Sequence, residues 1–131
     1  MRVNRHRPPT VLGWRDFAGE ADWRLSPAKR NREDRMARYI ELLNWTDQGV
    51  KNVKDSPKRL DAARQLAKKM GCEVREFYMT AGACDMVVIV DAPDDEAVAK
   101  FNLTLAMGGN VRTTTLKAFP EDAYRKIIGA L

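Results

Sequence analysis

At 131 residues, 44% of them hydrophobic and 31% charged, the chain has room for one ordinary domain and a short appendage. Its net charge of +5 is unevenly spread: residues 1–35 carry nine basic and five acidic side chains, whereas the other 96 residues carry 14 and 13. The basic excess therefore sits in the first quarter, which removes the electrostatic support for a nucleic-acid partner of the rest. No apolar run reaches the roughly 18–20 residues that a membrane span needs.

Residues 1–35 contain Trp14, Phe17 and Trp23 but no helix or strand period, and read as a disordered basic tail. Two readings of this segment stand. It is an arm that contacts an anionic partner, or it arises from a misassigned translation start, with Met36 the first residue. Asn31 to Met36 can be encoded by purine-rich codons just ahead of an ATG, as at a bacterial ribosome-binding site. No secretory leader pattern follows Met1, so a cytoplasmic location is expected, with Cys72 and Cys84 as reduced thiols.

From Met36 onward the chain alternates between strand and helix patterns. Arg38 to Trp45 is the first predicted strand, with Ile40 and Leu42 on one side and Tyr39, Leu43 and Trp45 on the other. Thr46 or Asp47 can cap a short helical run to Lys54. Ser56 and Pro57 then suit the N-cap and first position of a longer helix, whose apolar stripe is Leu60, Ala63, Leu66, Ala67 and Met70, and Gly71 ends it. Cys72 to Thr80 and Asp85 to Val90 read as a hairpin turning through Ala81 to Cys84. Acids at Asp94, Asp95 and Glu96 open the next helix, which buries Ala97, Val98, Phe101 and Leu105 and stops at Gly108-Gly109. Val111 to Phe119 is the fourth strand. A last helix follows Pro120, with Tyr124, Ile127, Ile128 and Leu131 on one face.

This order, β-α-β-β-α-β with a C-terminal helix, is the α+β ferredoxin-like plan. It places the first and third strands in the centre of an antiparallel sheet, with two helices on one face. The third strand is apolar on both sides: Met86, Val88 and Val90 against Val87 and Ile89. Two helices cover only one face, and Leu43 and the first strand's aromatics are assigned to the other. Covering that face requires a second copy, sheet against sheet, in a two-fold homodimer.

The runs Tyr39 to Gly49 (YIELLNWTDQG) and Lys51 to Pro57 (KNVKDSP) resemble the GYD domain family, as do Ala92 to Asp95 and Gly109 to Thr115. The resemblance covers about residues 36–131. It implies a small ferredoxin-like protein of the dimeric α/β-barrel type, in a family without an established activity whose members usually begin where Met36 stands. The motif that names the family falls on Gly82 to Asp85, with Cys84 in the tyrosine position, so any role of a phenol there is missing. Turn geometry explains the motif equally well, Gly82 supplying a positive φ and Asp85 bonding the hairpin backbone.

The residues from 36 onward contain no histidine, since His6 is the only one in the chain. An imidazole base, a His-ligated haem, a His-containing metal site and a Ser-His-Asp set are therefore not expected there, and no cofactor is implied. Asp94 to Glu96 reads as a solvated first turn. Cys84 lies next to an acid, Asp85, with no adjacent cation to favour a thiolate, so it reads as inert. What remains is a polar cluster at the end of the first strand, Asn44, Trp45, Thr46, Asp47 and Gln48, with Lys54, Arg112 and Thr114 expected nearby. Such a cluster suits a small-ligand-binding or regulatory homodimer. Alternatively, Asn44, Trp45 and Arg112 hold a phenolate or enolate in a cofactor-independent oxygenase or isomerase. The plainer reading of the same residues is that Asn44 and Thr46 satisfy backbone groups and Trp45 fills the core.

Overall fold

The computed structural model describes residues 35–131; the expected basic tail lies outside the described residues except for Arg35. Four strands, β1 (Ala37–Trp45), β2 (Glu73–Met79), β3 (Met86–Ala92) and β4 (Val111–Ala118), form one sheet in the order β2-β3-β1-β4. Every neighbouring pair is antiparallel, and β1 and β3 are central, as the strand order of the sequence implied. The helices are α1 (Asp47–Lys51), α2 (Ser56–Lys69), α3 (Asp95–Met107) and α4 (Glu121–Gly129). A short 3-10 turn, Val53–Asp55, runs directly into α2.

Local chemistry accounts for most boundaries. Thr46 caps α1, its side chain accepting from Gly49 N, and Asp94 caps α3 by accepting from Ala97 N at 2.8 Å. Gly71 leaves α2 at φ +76°, in the left-handed region that glycine tolerates best. One expected cap is displaced. Ser56 is the first residue of α2 rather than its N-cap, because the 3-10 turn already bends the chain and Asp55 holds the cap position without a side-chain bond.

α2 and α3 cover one face of the sheet, and the core lies beneath them: Tyr39, Leu43, Met86, Val88, Val90 and Phe101 are all buried. This reverses one assignment made from the sequence. Tyr39 and Leu43 (2% and 7% exposed) belong to the covered face, so the open face takes the alternate residues. Register aligns Ile40 with Ile89 and Leu116, and Leu42 with Val87 and Thr114. The open face is therefore aliphatic rather than aromatic at its centre. One end is charged, where Arg38 forks onto Asp91 at 2.9 and 3.2 Å, with Arg75 3.6 Å from the same carboxylate. The C-terminal helix forms as expected, but its stripe is uncovered: α4 has no buried residue, and Tyr124, Ile127 and Ile128 are each exposed.

Candidate functional site

A cavity of about 390 Å³ lies between the sheet and the two covering helices. That volume is in the range of small-molecule pockets, roughly 300–1,000 Å³. Its floor is Leu43, Val88 and Phe77 from the sheet, and its walls are Leu60, Leu66 and Phe101 from α2 and α3. This follows from strand periodicity: β1 and β3 send every second side chain up between the helices, whose apolar stripes face down onto them.

One position on that floor is acidic. Glu41 shares the alternation of Tyr39, Leu43 and Trp45, and is only 2% exposed. Asn102, one helical turn beyond Val98 on α3, is 8% exposed and donates Nδ2 to Glu41 Oε1 at 2.9 Å and to Thr115 Oγ1 at 2.8 Å. Thr115 Oγ1 donates to Glu41 Oε2 at 2.8 Å, closing a triangle across β1, α3 and β4. Burial pushes the Glu41 carboxyl above its ordinary range, and the bonds from Asn102 and Thr115 only partly offset that. In this orientation both amide hydrogens of Asn102 are used, one on Glu41 and one on Thr115. Asn102 Oδ1 is left without a partner among the described residues. The arrangement can hold a proton on a buried carboxyl.

The sequence-derived cluster divides between two faces. Trp45 lines the cavity, whereas Asn44 and Arg112, register partners of one another, and Thr114 stand on the open face. Asn44, Trp45 and Arg112 thus do not converge on one pocket, since adjacent strand residues point to opposite sides. Asn44 accepts from Asp85 N at 3.1 Å. Thr46 donates Oγ1 to Gly109 O at 2.5 Å, while its own N–H bonds Asn110 O at 3.0 Å. Gln48 spans to Gly108 O and Asn110 Oδ1 at 3.1 and 3.2 Å. Asp47 is an exposed first-turn acid, and Lys54 is exposed on the 3-10 turn. Thr46 and Gln48 lock α1 against the turn that follows α3. Gly49 completes the lock, because a Cβ there would lie 2.0 Å from Asn110 O.

The turn motif is also architectural in its bonds. Gly82 takes φ +150°, Asp85 accepts from Trp45 N at 3.0 Å, and Cys84 O accepts from Thr80 Oγ1 at 2.6 Å. Cys72 and Cys84 form no disulfide. At the start of α3, Asp95 takes the Tyr39 hydroxyl and Lys117 Nζ, which hold its carboxyl below its ordinary range. Burial, then that same bond, raises the Tyr39 phenol. No three acids, cysteines or histidines gather into a metal-binding group among the described residues, nor is any described helix long and apolar enough to cross a membrane.

The fold and cavity together define an α+β domain with a four-stranded antiparallel sheet and a pocket roofed by two helices. The GYD domain family matches residues 39–128, nearly all of the described part, and the chain belongs to that family. A relative from Thermus thermophilus, named glutamine synthetase and cystathionine beta-lyase binding protein, is 36% identical over 86 residues, covering 65% of this chain and 90% of the relative. Two solved structures share the fold at 19% identity. A feast or famine regulatory protein from M. tuberculosis, complexed with L-methionine, superposes with a TM-score of 0.54 over 81% of this chain and 67% of that one. MtbAldR superposes with a TM-score of 0.51 over 65% of this chain, which spans 52% of its length.

Proposed function

We propose that this GYD domain protein is a small-ligand-binding regulatory homodimer, with the ligand in the cavity between the sheet and helices α2 and α3. The observation that carries the reading is the buried Glu41–Asn102 pair in a mainly apolar pocket, since a buried carboxyl lacking a charged partner is a costly feature in a core with no task. Trp45, the one sequence-derived candidate on that wall, serves as an aromatic contact. The open face joins two copies sheet to sheet as a ferredoxin-like dimeric α/β barrel; its aliphatic centre and the uncovered stripe of α4 support this. Two cysteines outside any disulfide fit a cytoplasmic location.

A thermal-shift screen of aromatic and carboxylate metabolites tests the ligand reading. Hits that raise the melting temperature and are returned unchanged support a binder, and a hit consumed in air supports the cofactor-independent enzyme instead. A silent screen, confirmed by NMR, overturns ligand binding. The name of the Thermus relative favours a second reading, a domain that docks onto metabolic enzymes. Sedimentation of the protein mixed with a purified glutamine synthetase tests it, and independent migration of the two would count against docking.

A further inference from the structure

The cavity carries a fixed cation at one end. Ser56 and Arg59 stand one turn apart on the same side of α2, and both line the cavity. Arg59 donates Nη1 to Asn52 O at 2.8 Å and Nη2 to Gly49 O at 3.4 Å, which pins the guanidinium where β1 passes into α1. Both acceptors are neutral carbonyls, so further N–H donors stay unspent, and no carboxylate pairs with Arg59 among the described residues. Ser56, displaced from the cap position, spends its hydroxyl on no described residue either. Glu41 lies four residues back from Trp45 along β1, roughly 13 Å at the rise of an extended strand, with Leu43 between them on the cavity floor. Burial holds its carboxyl toward the protonated form, which weakens its repulsion of an anion entering at the Arg59 end.

We propose that the cavity binds small monocarboxylates with an apolar body, the carboxylate taken by Arg59 and the Ser56 hydroxyl and the body lying along Leu43, Leu60 and Val88. This rests on the ligand-binding reading above and names its ligand class. Hydrogen bonds from a guanidinium to a carboxylate are roughly twice as strong as those between neutral groups. An amide of the same shape offers Arg59 only a neutral oxygen, and an ammonium faces it as a like charge.

Phenylacetate, phenylacetamide and phenethylamine are suitable probes, since they share an aromatic body and differ in the charge of the head. NMR titration of the full chain near neutral pH should give phenylacetate an affinity about tenfold or more above that of phenylacetamide, the factor expected when a charge-assisted bond replaces a neutral one, with phenethylamine weakest. Arg59→Gln should bring phenylacetate and phenylacetamide to equal affinity. Lys58→Gln, at an exposed neighbour outside the lining, should leave the preference intact. If Arg59→Gln fails to fold, wild type and Ser56→Ala decide, the latter expected to weaken phenylacetate more than phenylacetamide. Equal binding of acid and amide to wild type, or tighter binding of the amine, overturns the anion selectivity while leaving a ligand cavity in place. A preference lost in Lys58→Gln would belong to surface charge and overturn the Arg59 site. Failure of all three probes, together with a silent metabolite screen, overturns the cavity reading as well.

Discussion

Replacing Gly49 by alanine separates two physical effects of opposite sign. Gly49 lies inside α1, where propensity alone favours alanine by about 1 kcal/mol. The added Cβ, however, would stand 2.0 Å from Asn110 O and 3.0 Å from Asn110 C, inside any real contact distance. Both partners are backbone, so relief requires α1 and the turn Gly108 to Asn110 to part. That movement loosens three bonds to the turn's carbonyls: Thr46 N to Asn110 O, Thr46 Oγ1 to Gly109 O, and Gln48 Nε2 to Gly108 O. At about 1 kcal/mol each, their loss outweighs the propensity gain, for a net destabilisation of roughly 2 kcal/mol. In a domain of this size that lowers the melting temperature by about 8–16 °C. Gly129→Ala is the control, because nothing lies within 4 Å of its Cβ; it should gain up to about 1 kcal/mol. Thermal unfolding followed by circular dichroism reads both. A Gly49→Ala protein as stable as wild type would refute the close-approach argument.

Thr46→Val, which keeps the shape and deletes the hydroxyl, should cost about 1–2 kcal/mol in urea unfolding through loss of the cap and the bond to Gly109. The raised Glu41 carboxyl gives a signed pH dependence: above its ordinary value of 4.5 the folded state keeps a proton that the unfolded chain has released. Stability should therefore fall as pH rises from that value through the folded one, and Glu41→Gln should flatten this descent when melting temperatures are compared across pH. Asp95, held low, acts in the opposite direction and below 3.8, outside the same window. Ile40→Glu, at the centre of the open face opposite Leu116, should convert the proposed dimer to a monomer in sedimentation velocity at micromolar concentration. A wild-type protein already monomeric there would remove the two-fold arrangement from the proposed function.

The sequence carried the order of elements because period and punctuation agreed: the two-sided apolar β3, the Pro93 and Asp94 start of α3 and the Gly71 stop of α2 each pointed one way. Faces were harder to read. Tyr39, Leu43 and Trp45 form one row of β1 and Ile40 and Leu42 another, and composition alone does not say which row lies beneath helices. The polar run Asn44 to Gln48 drew attention as a binding cluster, yet these side chains mostly serve backbone groups of α1, the hairpin and the turn after α3. Glu41 was overlooked although a signal existed. It is the one acid in the row Tyr39-Glu41-Leu43-Trp45, and Asn102 falls one turn from Val98 on the buried stripe of α3. Two polar residues on faces otherwise apolar, one on a strand and one on a helix, are the pattern of a buried polar pair, but their meeting depends on a tertiary contact across 61 positions.

Trp45 has an optical consequence. It is the only tryptophan among the described residues and it lines the cavity, so its indole ring is an internal dye for any guest of the proposed site. With Trp14 and Trp23 replaced by phenylalanine, its emission colour and lifetime would follow filling and emptying of the pocket in real time. No label need be attached, and exchange rates of guests become measurable by stopped flow.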